Sequence, residues 1–144
     1  MMKYIQLFLV FATTALFTIN SWADIETDNF QIMLAPAVAK STAGYGEIRN
    51  TGPEADTLLE ISSKDATVML HKTEVKSNHA QMHHINSAVI EAGSSLVLEP
   101  MSYHLMLSDL SDVFFKDGGT VTLFFKFEKA GLVEVAVPVV SIFY

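Results

Sequence analysis

Alternation of apolar and polar residues is the strongest local pattern in this chain. Every second residue is apolar from 121 to 127, and again from 133 to 139. Successive side chains of a strand point to opposite faces, so each stretch predicts a strand with one face toward a core. The residues between them, 128–132 with Gly131, predict a hairpin connection.

Turn signals separate these and other short apolar stretches. They are Asn50-Thr51-Gly52-Pro53, Ala92-Gly93-Ser94-Ser95 and Asp117-Gly118-Gly119. The chain shows no convincing amphipathic helix, internal repeat, linker or second domain. Short strands with turns roughly every eight to twelve residues predict an all-β sandwich of mostly antiparallel strands, folded as a single domain.

The first 23 residues differ from the rest. Lys3 gives a positively charged n-region, and residues 5–19 form a mostly apolar h-region. In Ser21-Trp22-Ala23, the small residues Ser21 and Ala23 occupy the two positions that a signal peptidase recognises. The apolar stretch is short of the roughly 20 residues that span a bilayer, which favours a cleaved signal over a retained anchor. We therefore predict a signal peptide over 1–23, a mature domain over 24–144, periplasmic export and no stable membrane insertion after cleavage.

Charge and cysteine content narrow the function further. Without residues 1–23 the chain keeps 8 basic and 16 acidic residues, a net charge of about −8, and it has no run of lysine or arginine. A nucleic-acid partner is therefore not expected. The absence of cysteine excludes disulfides, and it also excludes a blue-copper centre, which needs a cysteine thiolate.

Two histidines and two methionines form the most specific motif: His71-x10-Met82-x21-His104-x-Met106. Given the chain's composition of 5 His and 7 Met, chance would fill these four positions in roughly a few of ten thousand such sequences. Thioether sulfur is a soft, neutral donor, and imidazole is a versatile one, so this set suits Cu(I). His71, Met82, His104 and Met106 are therefore the predicted metal ligands.

The strand period predicts how these ligands are displayed. His104 and Met106 are two residues apart and should share one face of a strand, with Leu105 and Leu107 on the other. The side chain of His71 should likewise project from the face of its own strand that points away from the core. Met82 comes from a separate segment, which we expect to be the more mobile part of a largely preformed site.

Three more histidines surround Met82: His79, His83 and His84. Each is compatible with a solvated polar loop. In an extended segment, however, His84 shares a face with Met82 while His83 faces away, so His84 could add a nitrogen donor and favour Cu(II) at a secondary site. Three methionines of the predicted mature domain are interpreted as packing residues: Met33, Met69 and Met101. Met101 is the most plausible exception, because it lies close to His104 in sequence.

With all four motif positions matched, the chain resembles the periplasmic copper(I) chaperones of the PCu(A)C type. The resemblance extends to residues 43–50 and to the stretch from 127 through 131 to Pro138. It implies a cupredoxin-like, Ig-like β-sandwich that carries one copper ion. Lys72, after the first histidine, departs from the methionine or acidic residue found in many members, and a cation there could alter copper affinity or docking.

The resulting hypothesis is a metallochaperone that catalyses no reaction and delivers Cu(I) to another protein. The resemblance implies an acceptor such as cytochrome c oxidase subunit II or a Sco-type assembly factor. A copper buffer or resistance protein without a dedicated acceptor would use the same residues. A copper enzyme would need an open coordination position and a substrate pocket, and a structural or adhesion domain would bind no copper.

Overall fold

The computed structural model describes residues 24–36, 38–77, 79–111 and 116–141, and all regular structure in them is β. The predicted signal peptide, 1–23, lies outside the described residues. The strands are β1 Ile25–Met33, β2 Ser41–Asn50, β3 Asp56–Ser63, β4 Thr67–Lys76, β5 His79–His84, β6 Ala88–Ile90, β7 Ser95–Leu98, β8 Tyr103–Ser108, β9 Thr120–Phe127 and β10 Leu132–Val140.

The strands form one curled sheet in the order β5-β4-β8-β7-β2-β1-β10-β9-β3-β6. Most neighbours are antiparallel, and the parallel pairs are β1 with β10 and β7 with β8. Curling brings the two halves of the sheet face to face around a common core, where the rings of Phe30 and Phe125 lie 5.2 Å apart. The prediction of a mostly antiparallel all-β sandwich is confirmed.

The C-terminal hairpin follows the predicted alternation in β9 and only partly in β10. All four apolar residues of the β9 face are buried, as are Val137 and Val139 on β10, whereas Val133 and Val135 are half-buried. β10 pairs with β1 only at Val139 and Val140. The first half of β10 therefore extends past its neighbour, so its valines are less covered than their spacing suggested.

Phe30 packs directly on the backbone of β2 at Gly46. A register shift between Asp28 and Gln31 bulges β1 at this point, with Asn29 in the left-handed region at φ 52°. Gly46 has a φ of 159°, and a β-carbon there would lie 2.6 Å from Cγ of Phe30. Only glycine allows the ring to approach this closely.

The buried carboxylate of Asp56 ties the start of β3 to the β9–β10 hairpin. Its Oδ1 accepts hydrogen bonds from the backbone N–H groups of Thr57 (2.7 Å) and Lys129 (2.9 Å), and its Oδ2 accepts one from Ala130 (2.8 Å). A buried carboxylate needs such partners to offset its desolvation. Part of the stretch 127–131 thus has a structural role.

Candidate metal centre

Three adjacent strands at one edge of the sheet, β5, β4 and β8, bring histidines together. His71 on the middle strand is directly opposite His104 of β8 on one side and His84 of β5 on the other. Directly paired residues of neighbouring strands project from the same face. The three imidazoles therefore form a row across the strands, which we call the histidine row: His84, His71 and His104.

The rings of the histidine row are close neighbours. The centroids of His71 and His104 are 5.9 Å apart, and those of His71 and His84 are 5.7 Å apart, with near-perpendicular planes in both pairs. Because a metal–nitrogen bond is about 2 Å long, two rings at this spacing can bind one ion after modest rotation. His71 and His104, distant in sequence, are thus placed as a pair of potential ligands.

The His71 ring is held neutral by its surroundings. Burial lowers the pKa of His71 below the ordinary value of 6.5, and repulsion from His104 and then His84 lowers it further. Its Nδ1 is buried and has no hydrogen-bond partner. A buried, neutral nitrogen that makes no hydrogen bond is suited to bind a metal, because protonation competes weakly with metal binding.

The His104 ring is oriented by the backbone. Its Nδ1 lies 3.2 Å from the carbonyl oxygen of Ser102. A carbonyl only accepts hydrogen bonds, so the contact favours the tautomer in which Nδ1–H donates and Nε2 keeps its lone pair. Fixing one ring nitrogen in this way is a common means of presenting the other to a metal.

Met106 lies beside the histidine row, on the same face of β8 as His104. The residues between and after them, Leu105 and Leu107, are fully buried on the core face. This agrees with the prediction that one face of the strand packs in the core and the other carries His104 and Met106. Directly opposite Met106 on β4 is Met69, which is half-buried and also projects from the site face.

The sequence favours a packing role for Met69, whereas its pairing with Met106 places a second thioether on the site face. Its alternation with His71 was visible in the sequence. Its pairing with Met106 was not, because that depends on the register between β4 and β8. A sulfur donor next to Met106 therefore could not be predicted from the motif alone.

Met82 lies on the other side of the histidine row from Met106. It is opposite Thr73, two residues from His84 on the same face of β5, and 65% exposed. Across the strands it is a diagonal neighbour of His71, a relation that places Cα atoms roughly 7–8 Å apart. Strand β4 separates it from β8, so Met82 is the least closely placed of the four predicted ligands in this structure.

The segment that carries Met82 is a regular edge strand. All six residues of β5 pair with β4, and all six are exposed. The alternative of a polar loop for His79, His83 and His84 is wrong, because the structure places all three in this strand. His79 and His83 project from the face opposite the histidine row, so only His84 joins it.

Lys72 does not face the candidate ligands. It projects from the opposite side of β4, where its Nζ is 5.2 Å from the ring centroid of Tyr103 and 3.7 Å from Oε1 of Glu74. The cation that follows His71 in the sequence is therefore separated from the histidine row by the sheet. An influence of Lys72 on the site would have to be indirect.

In the part of the chain that the structure describes, no three His, Cys, Asp or Glu side chains already form a metal-binding cluster. The histidine row is contiguous, but its rings do not converge on one point. The donors available on this face are therefore imidazoles flanked by soft, neutral thioethers, a set suited to Cu(I).

Comparison with solved structures shows the same fold in PCuAC domains. A copper-bound PCuAC domain from PmoF2 has a TM-score of 0.69 and 19% identity, covering 83% of this chain and 95% of that domain. Apo-DR1885 from Deinococcus radiodurans has a TM-score of 0.62 and 22% identity over 99% of this chain and 98% of that one. CuI-DR1885 gives a TM-score of 0.64 and 23% identity, over 85% and 80%.

The search of curated proteins gave no match. The described part of the chain contains no candidate membrane-spanning helix. The family model "Putative lipoprotein LpqE-like" matches residues 25–139, nearly the whole described domain. The chain thus belongs to the LpqE-like family and has the cupredoxin-like fold of the PCuAC domains.

Proposed function

We propose that this protein is a copper metallochaperone that holds one Cu(I) ion with His71, Met82, His104 and Met106. The observation that carries the proposal is the direct pairing of His71 with His104, with Met106 next to them on the same face. Thioether sulfur matches the preference of Cu(I) for soft ligands, and imidazole nitrogen also suits copper. The copper-bound state of two structural neighbours, PmoF2 and DR1885, supports copper as the cargo.

Exposure of the site favours transfer of the ion over permanent storage. Met82 is on an exposed edge strand, where an incoming protein ligand could replace its sulfur before the other donors release. Neutral thioethers are also weaker ligands than thiolates, which eases stepwise exchange. A carrier is preferred to an enzyme because four protein donors would leave no open position for a substrate.

The proposed setting is the periplasm, reached through the signal peptide over 1–23, with 24–144 as the mature domain. The chain contains no cysteine, so its copper site cannot be lost to disulfide formation in an oxidising compartment. The proposed acceptor is a copper protein of cytochrome c oxidase assembly, either subunit II or a Sco-type factor, as the resemblance to PCu(A)C proteins implies. The second candidate is a copper buffer or resistance protein.

Titration with Cu(I) against a chromogenic chelator tests the ligand set. The purified protein should remove one equivalent of Cu(I) from the chelator, and His71→Ala and His104→Ala should each weaken binding by at least about tenfold. His83→Ala is the matched control, because His83 lies on the opposite face of the same three strands. Failure of the unmodified protein to compete with the chelator would refute the proposal.

A transfer assay separates chaperone from buffer. Cu(I)-loaded protein would be mixed with an apo acceptor, either the copper domain of oxidase subunit II or a Sco-type protein, and copper would be followed after the two are separated. A chaperone should transfer faster than Cu(I) dissociates into a chelator. Transfer no faster than dissociation would favour the buffer.

A further inference from the structure

We propose that the same face also binds Cu(II), with His84 as a third imidazole beside His71 and His104. This inference deepens the proposed function, because it shares His71 and His104 with the Cu(I) site. It assigns a ligand role to a residue outside the His-Met motif. The carrying observation is that His84 is directly opposite His71, with ring centroids 5.7 Å apart.

The structure separates His84 from the other histidines of its strand. His83 is opposite Lys72 and His79 is opposite Lys76, and both project from the face that lacks the other candidate ligands. Neither can reach His71 without crossing the sheet. Of the three histidines on β5, His84 alone is therefore able to share a metal ion with the motif histidines.

The row has dimensions that one ion can bridge. Neighbouring strands are about 4.8 Å apart, so the β-carbons of His84 and His104, two strands apart, are separated by roughly 10 Å. An imidazole that binds through Nε2 holds the metal roughly 5.5 Å from its own β-carbon, given a metal–nitrogen bond of about 2 Å. An ion roughly 2–3 Å above the His71 β-carbon could therefore bind both outer rings from opposite sides, and His71 would meet it through Nδ1, the ring nitrogen nearer its β-carbon.

This arrangement suits Cu(II) better than Cu(I). Two imidazoles on opposite sides of the metal, with the central His71 ring between them, give three corners of the tetragonal geometry that Cu(II) prefers. The exposure of His84 allows water to occupy the fourth. The rings do not form a metal-binding cluster without the ion, so binding requires both outer rings, His84 and His104, to rotate inward.

The positions of the methionines give Cu(I) and Cu(II) different sets of ligands. Met106 and Met82 flank the row on opposite sides, one on β8 and one on β5. Nitrogen donors are thus central and sulfur donors peripheral. Cu(II) would use the three rings, while Cu(I) would use His71 and His104 with sulfur, and His84 would contribute only to the first.

Electron paramagnetic resonance of the Cu(II)-loaded protein, combined with Cu(II) and Cu(I) competition titrations, tests this assignment. The variants are His84→Asn and, as a control on the other face of β5, His83→Asn. We expect the unmodified protein to show coupling to three imidazoles. His84→Asn should reduce this to two and weaken Cu(II) binding by at least about tenfold, while Cu(I) affinity changes by less than about twofold. His83→Asn should change neither.

The result that overturns the inference is a His84→Asn protein with the Cu(II) spectrum and affinity of the unmodified one. An unmodified protein that shows fewer than three imidazoles, or binds no Cu(II), overturns it as well. These outcomes are distinct from failure of the proposed function, which is absence of Cu(I) binding in the unmodified protein. Because His84 is exposed on an edge strand, His84→Asn should fold normally, which circular dichroism would verify.

Discussion

His71 and His104 are directly opposite each other on antiparallel strands, with ring centroids 5.9 Å apart. The residues next to His71 or next to His104 in the sequence do not by themselves bring the two histidines together. It depends on the β4–β8 register, which continues through Leu70 and Leu105 on the core face. Both leucines are buried, so a one-residue slip would expose them and break the pair. The packing of the core therefore fixes the candidate site.

Loss of the Met106 thioether should weaken Cu(I) binding without affecting the fold. We expect Met106→Leu to lower Cu(I) affinity by at least about tenfold, because leucine keeps most of the volume but cannot coordinate. Chelator competition measures the change. Met101→Leu is the control, since Met101 is exposed in the turn before β8. Equal effects of the two substitutions would exclude Met106 as a ligand.

Met69 should partly compensate for loss of Met82. Met69 is directly opposite Met106, so Met82→Leu alone should leave weakened but measurable Cu(I) binding. Met69→Leu combined with Met82→Leu should cost more than the two single changes added, because either sulfur can complete the site. Strict additivity in a double-mutant cycle would mean that Met69 does not replace Met82 as a ligand.

Titration of the apoprotein followed by NMR should find the pKa of His71 below 6.5. Burial is the main cause, followed by repulsion from His104 and His84. His84→Asn should raise the pKa of His71, because one source of repulsion is removed. A pKa of His71 at or above the ordinary value, or one that does not respond to His84→Asn, would contradict the described environment.

The same shift gives the apoprotein a pH-dependent stability. The folded-state pKa of His71 is lower than the unfolded-state value near 6.5, so the unfolded chain binds more protons in this range. The contribution of His71 is therefore most favourable above pH 6.5 and decreases as the pH falls through that value to the folded-state pKa. Urea denaturation of the apoprotein and of His71→Asn across this range should show a smaller decrease for the variant.

Substitution of Gly46 should destabilise the sandwich. A β-carbon at Gly46 would lie 2.6 Å from the Phe30 ring, so Gly46→Ala should cost about 2–4 kcal/mol in the free energy of unfolding. Gly93→Ala is the control, because Gly93 also has a positive φ but no atom within 4 Å of its would-be β-carbon. It should cost only about 1–2 kcal/mol. Equal costs would mean that packing on Phe30 is unimportant.

The sequence predicted the local arrangement of the site well. A period of two in β8 placed His104 and Met106 on one face and Leu105 and Leu107 in the core, as the structure shows. This succeeded because side-chain alternation depends only on the strand itself. The same reasoning separates His84 from His83, because neighbouring residues of any extended segment lie on opposite faces.

The relations between strands could not be predicted in this way. The pairing of His71 with His84, and of Met69 with Met106, depends on registers set by the packing of distant segments. The burial of Val133 and Val135 was overestimated for a similar reason, because both lie where β10 has no β1 neighbour. Periodicity identifies the face on which a residue lies, but not which residues lie across from it.

X-ray absorption at the copper edge of the Cu(I)-loaded protein would identify the atoms that bind the ion. We expect one copper ion bound by both imidazole nitrogen and thioether sulfur, with sulfur scattering reduced in Met106→Leu and nitrogen scattering reduced in His104→Ala. A copper environment that contains no sulfur, or one that neither substitution changes, would contradict the proposed site.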